Sequence, residues 1–199
     1  MANGFAMAEN FCTSLKSRLA DLLHIEITID DEADGWDGAL PDYQYLCEKT
    51  LHYVLGHPEL APLMAAPIAD KKPIEVSITL TDDAGIQVLN REYRSKDKPT
   101  NVLSFPQIED WSAAPSAIEE RNALPVLVLG DILMARETIA REALEQNKSF
   151  EDHAVHMLVH SILHLLGFDH EIESEAEAME SLEIEILRGF GIKNPYQNA

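Results

Sequence analysis

The sequence predicts an α/β fold, a single domain in which a mixed sheet of about four strands packs with helices. Three observations predict it. Short stretches alternating apolar and polar residues are interleaved with longer stretches of helical spacing, as expected where strands and helices share one sheet. Residues 126–132, VLVLGDI, are apolar on both faces and read as a strand in the middle of that sheet. Residues 154–166 are apolar apart from their histidines and Ser161, and a helix apolar all round belongs in a core.

The elements follow in order. Residues 1–20 form an N-terminal extension at the edge of the domain. Leu22 to Ile29 sets Ile25, Ile27 and Ile29 against polar neighbours, as a half-buried strand does. Asp30 to Asp42, rich in Asp and Gly, reads as a loop. Tyr43 to Leu55 has helical spacing at Leu46, Thr50, Tyr53 and Val54, and Gly56 and Pro58 stop it. Pro58 to Pro73 carries four prolines and reads as a connection. Ile74 to Thr81 alternates again. Asp82 or Asp83 then caps a helix running to about Tyr93. Asn101 to Phe105 is a short strand ended by Pro106, and Gln107 to Pro125 is a polar surface excursion. After the central strand come helices over about Ala135–Gln146, Phe150–Leu166 and Glu173–Arg188.

The chain has 199 residues, enough for one domain with a proper core. Its two cysteines, Cys12 and Cys47, form no disulfide framework and no thiolate metal box. No stretch approaches the roughly 18 apolar residues of a membrane span, and the N-terminus lacks the basic start of a secretory signal. A cytoplasmic protein with no membrane partner is expected. The formal charge is −20, so binding of any nucleic acid requires a local basic patch. Four of the 15 basic residues, Arg91, Arg94, Lys96 and Lys98, lie within eight positions. Residues 171–185 carry seven glutamates and no base, which reads as a solvated helix face.

The chemistry-bearing pattern lies on the core helix. His160 and His164 are one turn apart and stack on one face, where they can grip one ion. In a continuing helix His170 would sit roughly 9 Å beyond His164 and face away. It joins them only if the helix stops, and Gly167 supplies the stop by taking the left-handed conformation. The fold thus carries a metal site on a central buried helix. His156 shares the stripe but lies about 12 Å from His164 along the axis, too far for one ion. It reads either as a residue behind the ligands or as a plain core histidine. His153 is expected to be solvated in the first helical turn. Asp169 either supports a ligand imidazole or caps the turn after Gly167.

Three imidazoles without a fourth protein ligand describe an open site for one Zn2+ per chain, with a position left for water. Hydrolysis is the chemistry such a site supports. The spacing H-x-x-x-H-x-x-G-x-x-H is also that of the metzincin peptidases, whose glutamate base follows the first histidine. Here that position is Ser161, which cannot serve as such a base. A zinc peptidase stays open as one reading, and a binding adaptor with a structural zinc as another.

Residues 160–170, HSILHLLGFDH, resemble the H-G-x-L-H-L-x-G-Y/F-D-H motif of the YbeY family of bacterial rRNA maturation factors, with Ser161 where the family has glycine. Residues 89–106, LNREYRSKDKPTNVLSFP, are similar to its L-N-x-x-Y-R-x-x-D-x-P-T-D/N-V-L-S-F-P signature, and Leu129-Gly-Asp-Ile132 matches a third short block. The resemblance spans about residues 74–188. It implies a metal-dependent endoribonuclease that cuts single-stranded RNA, matures the 3′ end of 16S rRNA and acts in ribosome quality control. Its implied partners are rRNA precursors and small-subunit components of the ribosome, with no DNA expected. By the same resemblance His160, His164 and His170 are the zinc ligands and Arg94 is the functional arginine. Arg91, Lys96 and Lys98 then read as contacts to neighbouring phosphates.

Overall fold

A computed structural model describes residues 18–30, 33, 35–108, 111, 124–170 and 172–197. Most of the expected N-terminal extension and of the 107–125 excursion lies outside the described residues. Residues 18–22 are helical and lead directly into β1 (Leu23–Ile29). Then come α1 (Trp36–Ala39), α2 (Tyr43–Leu55), α3 (Ala61–Ala69), β2 (Ile74–Thr81), α4 (Asp83–Arg94) and β3 (Val102–Pro106). The chain continues through β4 (Leu127–Ala135), α5 (Arg136–Glu145), α6 (Phe150–Leu165) and α7 (Glu173–Gly189).

The four strands form one mixed sheet in the order β1-β2-β4-β3. β1 and β4 run parallel to β2, and β3 runs antiparallel to β4. The inward row of β2, Ile74, Val76, Ile78 and Leu80, is almost wholly buried. β4 lies between β2 and β3, as its apolar run suggests, but is not buried on both faces: Val128 is 42% exposed. At Glu75/Val76 the β2–β4 register slips by one residue, so that Val76 pairs with Gly130 and Leu129 is skipped. Gly130 has φ +139°, and a Cβ there would collide with the Phe105 carbonyl of β3. Only glycine allows β3 to lie this close to the bulge.

Three expectations are corrected. The 58–73 connection contains α3: Pro62 falls in the first turn, where a missing N–H costs nothing, and Met64 and Ile68 are buried. Pro67 is tolerated near the helix end. The Asp/Gly-rich loop contains α1, anchored by the fully buried Trp36, whose Nε1 donates to Thr81 O at 2.9 Å. Such a bond satisfies the one polar atom of an otherwise apolar residue. His153 is not solvated but 1% exposed, with its Nε2 2.9 Å from Glu142 Oε2.

α6 is the hub. It packs against α2, α5 and α7 and against β3 and β4, which explains why its sequence is apolar all round. Ser149 caps its start by accepting from Asp152 N at 3.0 Å. On the opposite face of the sheet, α4 lays Ile86 and Leu89 on Leu103, Phe105 and Leu133. Asp82 caps α4 by accepting from Gly85 N at 2.7 Å, while Asp83 reaches Thr138 N and Oγ1 and ties α4 to α5. No helix among the described residues is long and apolar enough to cross a membrane.

Candidate metal centre

The last turn of α6 and the bend after it bring His160, His164 and His170 together. Each offers one ligand atom, and the three atoms lie within 4.8 Å of one another. The bend has the chemistry read from Gly167. Its φ is +83°, and the backbone closes through Gly167 N to His164 O and Phe168 N to Leu163 O, both 3.0 Å. A Cβ at residue 167 would also meet the Trp111 ring at 2.8 Å. Trp111 in turn donates Nε1 to Leu165 O at 3.0 Å, which covers a carbonyl that the ending helix leaves without a partner.

Hydrogen bonds fix which nitrogen each imidazole presents. His164 Nδ1 lies 2.9 Å from the Phe168 carbonyl, and His160 Nδ1 lies 2.8 Å from Glu183 Oε1. Both partners accept only, so both Nδ1 atoms carry a proton and the two Nε2 atoms are the ones turned toward each other. Those two Nε2 atoms stand 3.1 Å apart. Two nitrogens on one tetrahedral ion at about 2.0–2.1 Å are about 3.3 Å apart, so the spacing fits a shared ion. Burial, followed by the charges of His160 and His170, lowers the His164 pKa to about 4, leaving it a neutral donor at pH 7. The donor set therefore suits a metal.

Behind the ligands lies a residue that the glutamate run concealed. Glu183 is fully buried on α7, and its Oε2 accepts from His156 Nε2 at 2.9 Å and from the Tyr196 hydroxyl. Burial acts to raise its pKa, but hydrogen bonds from His156, His160 and Tyr196 outweigh that and hold it at about 2. One signal was available in the sequence: position 183 falls on the same helical stripe as Met179, Leu182, Ile186 and Leu187, all buried. His156 thus sits behind the ligands through Glu183, and burial keeps its own pKa low. Asp169 takes the turn role, accepting from the His170 amide at 2.7 Å.

The basic cluster lies on the surface. Arg91, Arg94, Lys96 and Lys98 are all exposed at and after the end of α4. Arg91 has Asp97 at 3.7 Å, whereas the Arg94 guanidinium has no partner among the described residues. The loop is braced from inside, where the buried Asn90 donates Nδ2 to Lys98 O at 2.7 Å. Tyr93, 63% exposed, rests edge-on against Phe105 with centroids 5.1 Å apart. β3, which follows this loop, packs on α6.

The family model described as Endoribonuclease YbeY matches residues 43–191, which include the basic loop, the three histidines and Glu183. Endoribonuclease YbeY of Rhizobium etli is 47% identical over 88% of this chain and 94% of its own. That of Agrobacterium fabrum is 45% identical over 86% and 95%, and that of Paramagnetospirillum magneticum 41% identical over 86% and 96%. The solution structure of TM1509 from Thermotoga maritima is 22% identical, covers 84% of this chain and 92% of its own, and has a TM-score of 0.47. With a family model matched across most of the sequence and relatives similar over nearly their full length, the chain belongs to the YbeY endoribonuclease family.

Proposed function

We propose that this protein is a zinc-dependent endoribonuclease of the cytoplasm. It cuts single-stranded RNA, and its role is in maturing the 3′ end of 16S rRNA and in ribosome quality control. The observation that carries the reading is the convergence of His160, His164 and His170, one ligand atom each and all within 4.8 Å, in a chain whose relatives are named endoribonucleases. His160, His164 and His170 are the residues that would hold one zinc ion. When bound, zinc supplies a Lewis acid and activates water at neutral pH.

The rest falls to the chain's own side chains. The Phe168 carbonyl and Glu183 keep two imidazoles aimed at the ion. Arg94 carries a planar fork of donors without a partner among the described residues, suited to grip a phosphodiester bidentately and stabilise its charge as the bond breaks. Lys96, Lys98 and, in exchange for Asp97, Arg91 follow the neighbouring phosphates. Tyr93 offers a ring face to an unpaired base. An unpaired strand can follow such a surface where a duplex, with its bases stacked inward, cannot. Precursor rRNA and small-subunit components of the ribosome are the partners this activity calls for.

The test is cleavage of a single-stranded RNA with chelator, with zinc restored, and with His164→Ala as control. Activity is expected to vanish with chelator and return with zinc, and the folded variant is expected to hold little metal and cut nothing. Chelator-insensitive cleavage, or full metal occupancy in His164→Ala, refutes the reading. Proteolysis of casein without RNA cleavage would point to a peptidase. Unfolding on chelation with neither activity would point to an adaptor.

A further inference from the structure

Glu183 poses a physical question that fold alone does not answer. A carboxylate at 0% exposure, between Leu182 and Ile186 on the buried face of α7, costs several kcal/mol unless donors surround it. An apolar residue would pack there at no such cost. The donors are present, and they are divided between the two oxygens. Oε1 is given to His160 Nδ1, and Oε2 to His156 Nε2 and the Tyr196 hydroxyl.

Tyr196 comes from the segment beyond α7, and that segment is itself fastened. Tyr196 N donates to Asn194 Oδ1 at 2.9 Å, and Lys148 Nζ, just ahead of α6, donates to Pro195 O at 3.2 Å. The far end of the chain is thereby tied to both ends of the network. We infer that Glu183, clamped by Tyr196 and His156, is the positioning residue of the metal centre: it locks His160 in the tautomer and ring orientation that present Nε2 to the ion. This rests on the three histidines being a metal site. A carboxylate behind an imidazole also makes the far nitrogen a stronger donor, so the effect falls on metal affinity.

The test measures zinc affinity by competition with a chromogenic chelator, the visible spectrum of the cobalt-substituted protein, and the His160 imidazole tautomer by long-range proton–nitrogen NMR. Glu183→Gln keeps the shape but removes the charge, and is expected to weaken zinc binding about 10- to 100-fold. It should also shift the cobalt bands and let His160 sample the other tautomer. Tyr196→Phe removes one donor of three and is expected to weaken binding by about 2- to 10-fold. A folded Glu183→Gln protein with affinity within about twofold of wild type and an unchanged His160 tautomer overturns the proposal. Should Glu183→Gln fail to fold, Tyr196→Phe decides: unchanged affinity and an unchanged cobalt spectrum overturn it. A wild-type chain that takes up neither zinc nor cobalt would overturn the metal centre itself, and this proposal with it.

Discussion

Replacing Gly167 with alanine strikes the turn on which His170 depends, and two separate costs can be worked out. The first is conformational. Residue 167 has φ +83°, where an L side chain costs about 1–2 kcal/mol. The second is steric: the new Cβ would stand 2.8 Å from the Trp111 ring, closer than real Cβ contacts come. Trp111 must move, and its hydrogen bond to Leu165 O goes with it, leaving a carbonyl at the helix end short of a partner at about 1–3 kcal/mol. Together Gly167→Ala should cost about 2–5 kcal/mol, a roughly 30- to 5000-fold shift in the unfolding equilibrium.

Urea unfolding in the presence of chelator measures this without any contribution from bound metal. Repeating the substitution in a Trp111→Ala background separates the two costs. There the clash is gone, only the conformational cost remains, and a coupling of about 1 kcal/mol or more between the sites is expected. A cost under about 0.5 kcal/mol would refute the left-handed turn. Equal costs in the two backgrounds would refute the close approach of Trp111.

Two further outcomes are expected. Arg94→Ala should fold and retain zinc, because its guanidinium has no partner among the described residues, while RNA cleavage falls on the order of 100-fold; unchanged cleavage rates would remove this arginine from the mechanism. Cys47, whose thiol is pushed up to about 12 by burial and by the charge of Glu48, should resist alkylation at pH 8 in the native chain and react once unfolded. Labelling of the Cys47 peptide at the rate of an exposed thiol would contradict that burial.

Much of this was legible because it depended on local rules. Helix spacing placed His160 and His164 on one face, and a glycine at 167 signalled the bend, since both are consequences of backbone geometry. The alternation in β1 and β2 was equally plain. What escaped depended on partners distant in sequence. Trp36 sits in an Asp- and Gly-rich stretch whose composition says loop, and only Thr81, 45 residues away, explains its burial. His153 looked solvated because its position is the first turn of a helix, yet Glu142 of α5 supplies an acceptor inside. Glu183 was lost in a run of acids. Composition described the run correctly on average, and the one exception was set by three donors from two other segments.

That exception also bears on the tension between a charge of −20 and a nucleic-acid substrate. Acidity is a sum over the whole surface, whereas a strand of RNA feels charges within about 8 Å at physiological salt. Over residues 91–98 four bases stand against Glu92 and Asp97, a local balance of +2. Asp97 is moreover drawn toward Arg91 and Gln87, which leaves the side chains of Arg94, Lys96 and Lys98 without an acidic partner among the described residues. Among the α7 acids, Glu183 does not present its carboxylate at the surface, because its oxygens are turned onto histidines and a tyrosine inside the fold. Repulsion from the remaining acids acts at longer range and is what salt screens first. It disfavours RNA that does not reach the basic loop, while a strand lying on the loop experiences mainly its cations. On the proposed function, the acidic surface would favour the basic loop as the place where a phosphate approaches, rather than oppose cleavage there.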